Sequence, residues 1–239
     1  MTSTARSADP TTPAAAPAAA SCGPTAPSGP IVLAELGPIA QLRAGRLGRR
    51  LPQLYVGLVL YGVSIAMMVA GDLGLAPWDV LHSGLIRHVP LSLGQAVVVM
   101  SFVVLLAWIP LREVPGIGTV SNAVVVGFSA DLALRILGQP QEPVLRVALM
   151  LGGIALCGLA GAMYIGAQFG RGPRDGLMTG LHRRTGLSLR LVRTLLEVAV
   201  VLVGLLLGGV AGVGTVLFAF TVGPLTQRWL PRWIVPLHR

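Results

Sequence analysis

The sequence predicts an all-α polytopic membrane protein. It predicts six transmembrane helices, arranged as two inverted three-helix repeats with short re-entrant or interfacial helices. Three observations carry this prediction: an apolar composition with few charges, six apolar stretches, and self-similarity at a fixed offset of 96 residues, the distance from Gly74 to Gly170. Of 239 residues, 54% are hydrophobic and 11% are charged. The mean hydropathy is +0.76. A soluble domain carries about 25% charged residues, so an ordinary soluble enzyme is excluded.

Residues 1–30 are mostly Ala, Pro, Thr, Ser and Gly. Such a chain buries too little apolar surface to offset the entropy of ordering, and it reads as a disordered tail. Residues 31–50 form a basic juxtamembrane segment ending in Arg43, Arg46, Arg49 and Arg50. Its second half reads as a short surface helix with arginines among the lipid headgroups. Residues 51–140 then form membrane repeat 1, and residues 141–239 form membrane repeat 2. Apolar stretches fall at about 53–71, 91–109, 117–136, 145–168, 189–210 and 213–229. A transmembrane helix needs about 20 such residues. On the fourth stretch Gly158, Ala162, Gly166 and Gly170 recur every four residues, a stripe that lets a neighbouring helix approach closely.

The formal charge is +9, and all 18 basic residues are Arg. They cluster between the apolar stretches, where bilayer topology puts them. The charge is therefore an orientation signal, and no nucleic-acid partner is expected. Counting arginines by the positive-inside rule gives a multi-pass cell-membrane protein with both termini in the cytoplasm. The expected partners are membrane lipids and a small solute or ion. A homodimer is also expected, because six short spans make a thin bundle. Cys22 and Cys157 lie too differently, in the tail and in an apolar helix, to predict a disulfide.

The 96-residue offset matches GLAPWDVLHSGLIRHVPLSLG, from Gly74, with GRGPRDGLMTGLHRRTGLSLR, from Gly170. Pro77 matches Pro173, Asp79 matches Asp175, and Arg87 matches Arg183. Further on, GIGTV at 116–120 matches GVGTV at 212–216 in the same register. Each copy holds three apolar stretches, an odd number, so the second copy is expected to run upside down. Inverted repeats with broken helices are a transporter architecture.

The matched segments carry the candidate site. Gly74, Pro77, Gly170, Pro173 and Arg174 form a re-entrant or capping motif. Proline suits the first helical turn, where no amide hydrogen bond is lost. Asp79 and Asp175 then sit in that turn, where the helix dipole favours a carboxylate. Two readings stand. In one, both segments dip inward and the aspartates form a polar centre for a cation or a proton-coupled substrate. In the other, both aspartates are interfacial caps, with Asp175 pairing with Arg174 or Arg183. Trp78 in the first copy stands where Arg174 stands in the second, which suits an outer aromatic belt and an inner basic one. Glu197, deep in the fifth stretch, pairs by spacing with Arg193. Asn122 could hydrogen-bond across helices. His82 and His182 are not at matching positions, and no HExxH or CxxC spacing appears. No metal, cofactor or catalytic residue is therefore expected, and the protein reads as no enzyme.

Several of these motifs together carry a family resemblance. They are PWDVLHSGL at 77–85, PGIGTVSNA at 115–123, YIGAQFGRGPRDGLMTGL at 164–181 and GVGTVLFAF at 212–220. The chain resembles the YczE/YyaS/YitT group of bacterial integral membrane proteins over about residues 52–235, and the YczE-like branch above all. The resemblance implies a multipass plasma-membrane protein without a defined biochemical activity, for which transport or export is the activity raised. It supplies no catalytic residues. The function expected is that of a small secondary transporter or exporter. The alternative is a non-transporting scaffold or regulator that holds a cytoplasmic partner on the basic face around 171–184.

Overall fold

The computed structural model describes residues 37–237. The tail at 1–30 and the start of the juxtamembrane segment lie outside the described residues. The described residues form nine helices: α1 (Pro38–Arg43), α2 (Leu47–Gly71), α3 (Pro77–Leu85), α4 (Leu93–Leu111), α5 (Ile117–Leu137), α6 (Pro143–Gly166), α7 (Pro173–Thr185), α8 (Leu189–Leu206) and α9 (Val213–Trp233). All belong to one compact unit.

The expectation of six spans in two inverted three-helix repeats is overturned. Among the described residues only α2, α4, α5 and α6 are long and apolar enough to cross a membrane. The cause is side-chain polarity. In its 18 residues α8 carries Arg190, Arg193 and Glu197. The second half of α9 carries Pro224, Gln227, Arg228 and Pro231.

The centre of the bundle is α2, packed between α5 and α6. α4 lies along α5, α9 along α6, α8 against α3, and α7 against α4. One apolar core joins Leu54 and Leu58 of α2 to Val97 of α4 and Val126 and Ala130 of α5. A second joins Met68 to Met150, Ile154 and Cys157 of α6 and Phe218 and Val222 of α9. The α2–α5 contact depends on Gly62, where a methyl group would stand 2.5 Å from the Val126 carbonyl oxygen and 2.6 Å from Ser129 Cβ. The small-residue stripe on α6 meets α9 in part, with Gly158 against Leu225 and Gly166 against the Trp233 backbone.

Two junctions explain why glycine precedes each short helix. Gly74 has φ +120° and lies against Gly212, while Gly170 has φ +104° and lies against Gly116. L-residues with a side chain rarely adopt such φ values. The Gly214 amide donates to the Leu73 carbonyl at 2.9 Å, and the Gly118 amide donates to the Phe169 carbonyl at 2.8 Å. The turn before α3 is thus tied to the start of α9, and the turn before α7 to the start of α5. Thr215 and Thr119 hold those starts by accepting from the Gly212 and Gly116 amides at 3.1 and 3.0 Å.

One arginine departs from the headgroup expectation. Arg50 is fully buried. It donates to the carbonyls of Gln41 at 2.7 Å, Gln168 at 2.8 Å and Ala167 at 2.9 Å, and its guanidinium lies 4.2 Å over the Phe169 ring. Four of the last-turn and loop groups of α1 and α6 therefore meet on one side chain of α2.

Candidate functional site

The polar residues gather where the two short helices begin. Pro77 and Pro173 occupy the first turns of α3 and α7. Asp79 follows in the first turn of α3, is 2% exposed, and faces inward. One turn later on the same face His82 is 1% exposed, and its Nδ1 lies 3.0 Å from Asp79 Oδ1. Burial pushes the His82 imidazole below its ordinary pKa; the Asp79 hydrogen bond opposes this and the Arg174 charge adds to it. The ring is therefore neutral at pH 7, with Nδ1–H donating to the carboxylate.

α7 supplies the facing groups. Arg174 Nη2 lies 3.8 Å from Asp79 Oδ1, and its guanidinium carbon lies 5.0 Å from the centre of the Trp78 ring. The expectation that Trp78 and Arg174 mark opposite membrane faces is corrected by that contact. Asp175, half-buried, accepts from the Tyr164 hydroxyl of α6 at 2.5 Å. It pairs in this way rather than with Arg174 or Arg183; Arg183 reaches Glu113 at 3.1 Å instead. A methyl group at Gly172 would stand 3.2 Å from Asp175 Oδ2, 3.2 Å from Tyr164 Oη and 3.8 Å from Asn122 Nδ2, so these three groups surround one point. The Tyr61 and Tyr164 rings meet edge to face at 6.1 Å. Trp108 of α4 donates its indole N–H to the Pro173 carbonyl at 3.0 Å and fills the space over Gly176, which fixes the start of α7.

The structure thus brings Asp79, Arg174, Asp175, Asn122, Pro77 and Pro173 into one region. Gly74 and Gly170 act at the backbone junctions just before it. Arg193 and Glu197 form their expected pair on α8 at 2.8 Å, half-buried, with Arg193 electrostatically coupled to Asp175. Sequence reasoning missed His82, Tyr61, Tyr164 and Trp108. The 96-residue comparison hides His82, because Met178 stands at the matching position. The usable signal was its i,i+3 spacing from Asp79, which puts both on one helical face. Among the described residues no three His, Cys, Asp or Glu side chains gather as a metal site. Cys157 is buried and lies beside the Tyr61 and Ser64 hydroxyls.

An apolar helical bundle with several membrane-length helices, enclosing charged side chains on two short helices, defines a multi-pass membrane protein. The chain belongs to the family of unknown function DUF6198, which matches residues 48–231. It is 38% identical over 177 residues to an uncharacterized protein of Haemophilus influenzae, covering 74% of this chain and 81% of that one. It is 29% identical over 186 residues to the uncharacterized membrane protein YczE of Bacillus subtilis, covering 77% and 86%. It is 26% identical over 187 residues to the uncharacterized protein YyaS of Bacillus subtilis, covering 77% and 92%. No solved structure matches.

Proposed function

We propose that the protein is a small secondary transporter or exporter whose solute site is the region between the starts of α3 and α7. The observation that carries this reading is the burial of Asp79 and His82 inside an apolar bundle, with the partly buried Arg174 at ion-pair distance. Ionisable groups in a membrane protein's interior are expensive, and they mark pathways and binding sites by default. Asp79 and Asp175 are the site carboxylates in this reading, Asn122 is a polar neighbour, and the Arg193–Glu197 pair borders the site from α8. The termini are read as cytoplasmic on the arginine distribution, with membrane lipids and a second copy of the chain as further partners. The higher identity to YczE than to YyaS supports a YczE-like assignment.

The scaffold reading draws less support. Arg183 is committed to Glu113, and Arg184 donates to the Pro110 carbonyl at 2.9 Å, so part of the proposed docking face is engaged with the end of α4. The test is flux. Purified full-length protein in liposomes is screened with a solute panel, with and without a proton gradient. Transport requires protein-dependent flux that falls by about tenfold or more in Asp79→Asn or Asp175→Asn. Absence of flux across the panel, with both variants indistinguishable from the parent chain, refutes it.

A further inference from the structure

We propose that Arg174, seated on the Trp78 ring, is the binding group for a small oxyanion, a carboxylate or a phosphate, and that such anions are the substrate class. This rests on the transport reading above and names what that site takes.

The argument is a count of donors and acceptors. A guanidinium presents five N–H donors in a rigid fork and accepts nothing. Among the described residues Arg174 lies over the Trp78 ring and within ion-pair distance of Asp79 Oδ1. The second is 3.8 Å, an ion-pair distance but well beyond the 2.7–3.2 Å of an N–H···O hydrogen bond. That oxygen already accepts from His82 at 3.0 Å. The other carboxylate of the site, Asp175, accepts from Tyr164. Both acid groups therefore have donors from the protein, while the Arg174 guanidinium beside Asp79 has no hydrogen-bond acceptor. Its side chain is only 22% exposed, so bulk water reaches a small part of it. Among the described residues no side-chain nitrogen is both sealed from solvent and without a partner, so the unused Arg174 donors open to the accessible side of the site, where a ligand can reach them.

The shape of that acceptor follows from the fork. Planar guanidinium binds carboxylate and phosphate through two parallel N–H···O bonds. The guanidinium carbon lies over the Trp78 ring, an attraction that uses none of its N–H donors as hydrogen bonds to an acceptor. An arriving anion takes the place of the loose Asp79 contact, and Asp79 is not abandoned, because His82 keeps donating to it. A cation approaching Asp79 would instead meet the Arg174 charge, 3.8 Å from that carboxylate.

The test is equilibrium binding to the full-length protein in detergent, read as the shift of the thermal unfolding midpoint. One arm titrates acetate, lactate and succinate, and a second titrates inorganic phosphate and sulfate. Sodium chloride matches ionic strength, and methylammonium chloride serves as the cation comparison. A saturable rise in one oxyanion arm is expected, and the arm that responds tells carboxylate from phosphate chemistry. Apparent affinity should fall by about tenfold or more in Arg174→Lys, which keeps the charge and loses the fork, and should vanish in Arg174→Gln. Glu113→Gln, remote from Arg174, should respond like the parent chain. If Arg174→Gln does not fold, Arg174→Lys and Trp78→Phe carry the comparison. The proposal is overturned if neither arm exceeds chloride, if the Arg174 variants bind like the parent chain, or if methylammonium alone stabilises. Oxyanion binding without any flux in liposomes refutes transport and leaves this site standing. Flux of a cation without oxyanion binding does the reverse.

Discussion

Replacing Arg50 by methionine should destabilise the protein more than any other single change at the membrane-entry end of α2. The guanidinium makes three close bonds to carbonyls, on Gln41, Ala167 and Gln168, and a longer one to Gly45 at 3.4 Å. A hydrogen bond from a charged donor contributes about 1.5–3 kcal/mol. Burying the guanidinium costs several kcal/mol against that sum. The balance predicts a loss of about 2–5 kcal/mol in Arg50→Met, because the carbonyls lose their donor and the Phe169 face loses its cation. Arg50→Lys should recover a minor part, since a single ammonium cannot reach acceptors on both the α1 and α6 sides. The assay is equilibrium unfolding of the purified chain in mixed micelles, with hydrogen exchange followed at residues 37–46 and 167–171. Exchange should rise at both segments together. A change below about 1 kcal/mol in Arg50→Met, with unchanged exchange at both, would refute the idea that one side chain fastens α1 to the end of α6.

Two other outcomes are expected. Gly62→Ala should force α2 and α5 apart and cost about 1–3 kcal/mol, read as a lower unfolding midpoint, because its methyl group meets backbone oxygen and Ser129 Cβ rather than a flexible chain end. His82 sets a pH dependence. Its folded pKa lies below the ordinary value of about 6.5, so the unfolded chain binds the proton first as pH falls. Stability should therefore be full above about pH 6.5, decline below it, and level off beneath the folded pKa. In His82→Gln that part of the slope between about pH 7 and 5 should disappear; an unchanged slope would show that His82 does not titrate there.

Much of the architecture was legible because it lives in backbone requirements. The apolar stretches at 53–71, 91–109, 117–136 and 145–168 became α2, α4, α5 and α6. Pro77 and Pro173 marked helix starts, and Gly74 and Gly170 marked positive-φ turns. Counting spans failed for α8 and α9, because an apolar average over a window hides where charges fall. Arg193 and Glu197 satisfy each other on α8, yet with Arg190 they put three charges into its 18 residues, more than an apolar span carries. Arg50 was misread for a different reason. In the sequence it is one of four arginines before a span, and only the tertiary approach of the 167–169 backbone distinguishes it from Arg43, Arg46 and Arg49.

The site itself shows why its centre was the hardest part to read. Residues kept at the 96-residue offset build junctions: Gly74 and Gly170, Pro77 and Pro173, Thr119 and Thr215. The distinctive chemistry lies where the two segments differ. Trp78 stands opposite Arg174 in the comparison, and in space the one carries the other. His82 stands opposite Met178, and only the histidine can donate to Asp79. Tyr164 serves Asp175, while Asp79 is served from its own helix. Two aspartates at matching positions thus receive different donors, one a hydroxyl and one an imidazole N–H, and Arg174 makes its ion pair with Asp79. Self-similarity located the two short helices. Their differences give one face of the site a cation with unused donors, and that is the property on which an oxyanion would be recognised.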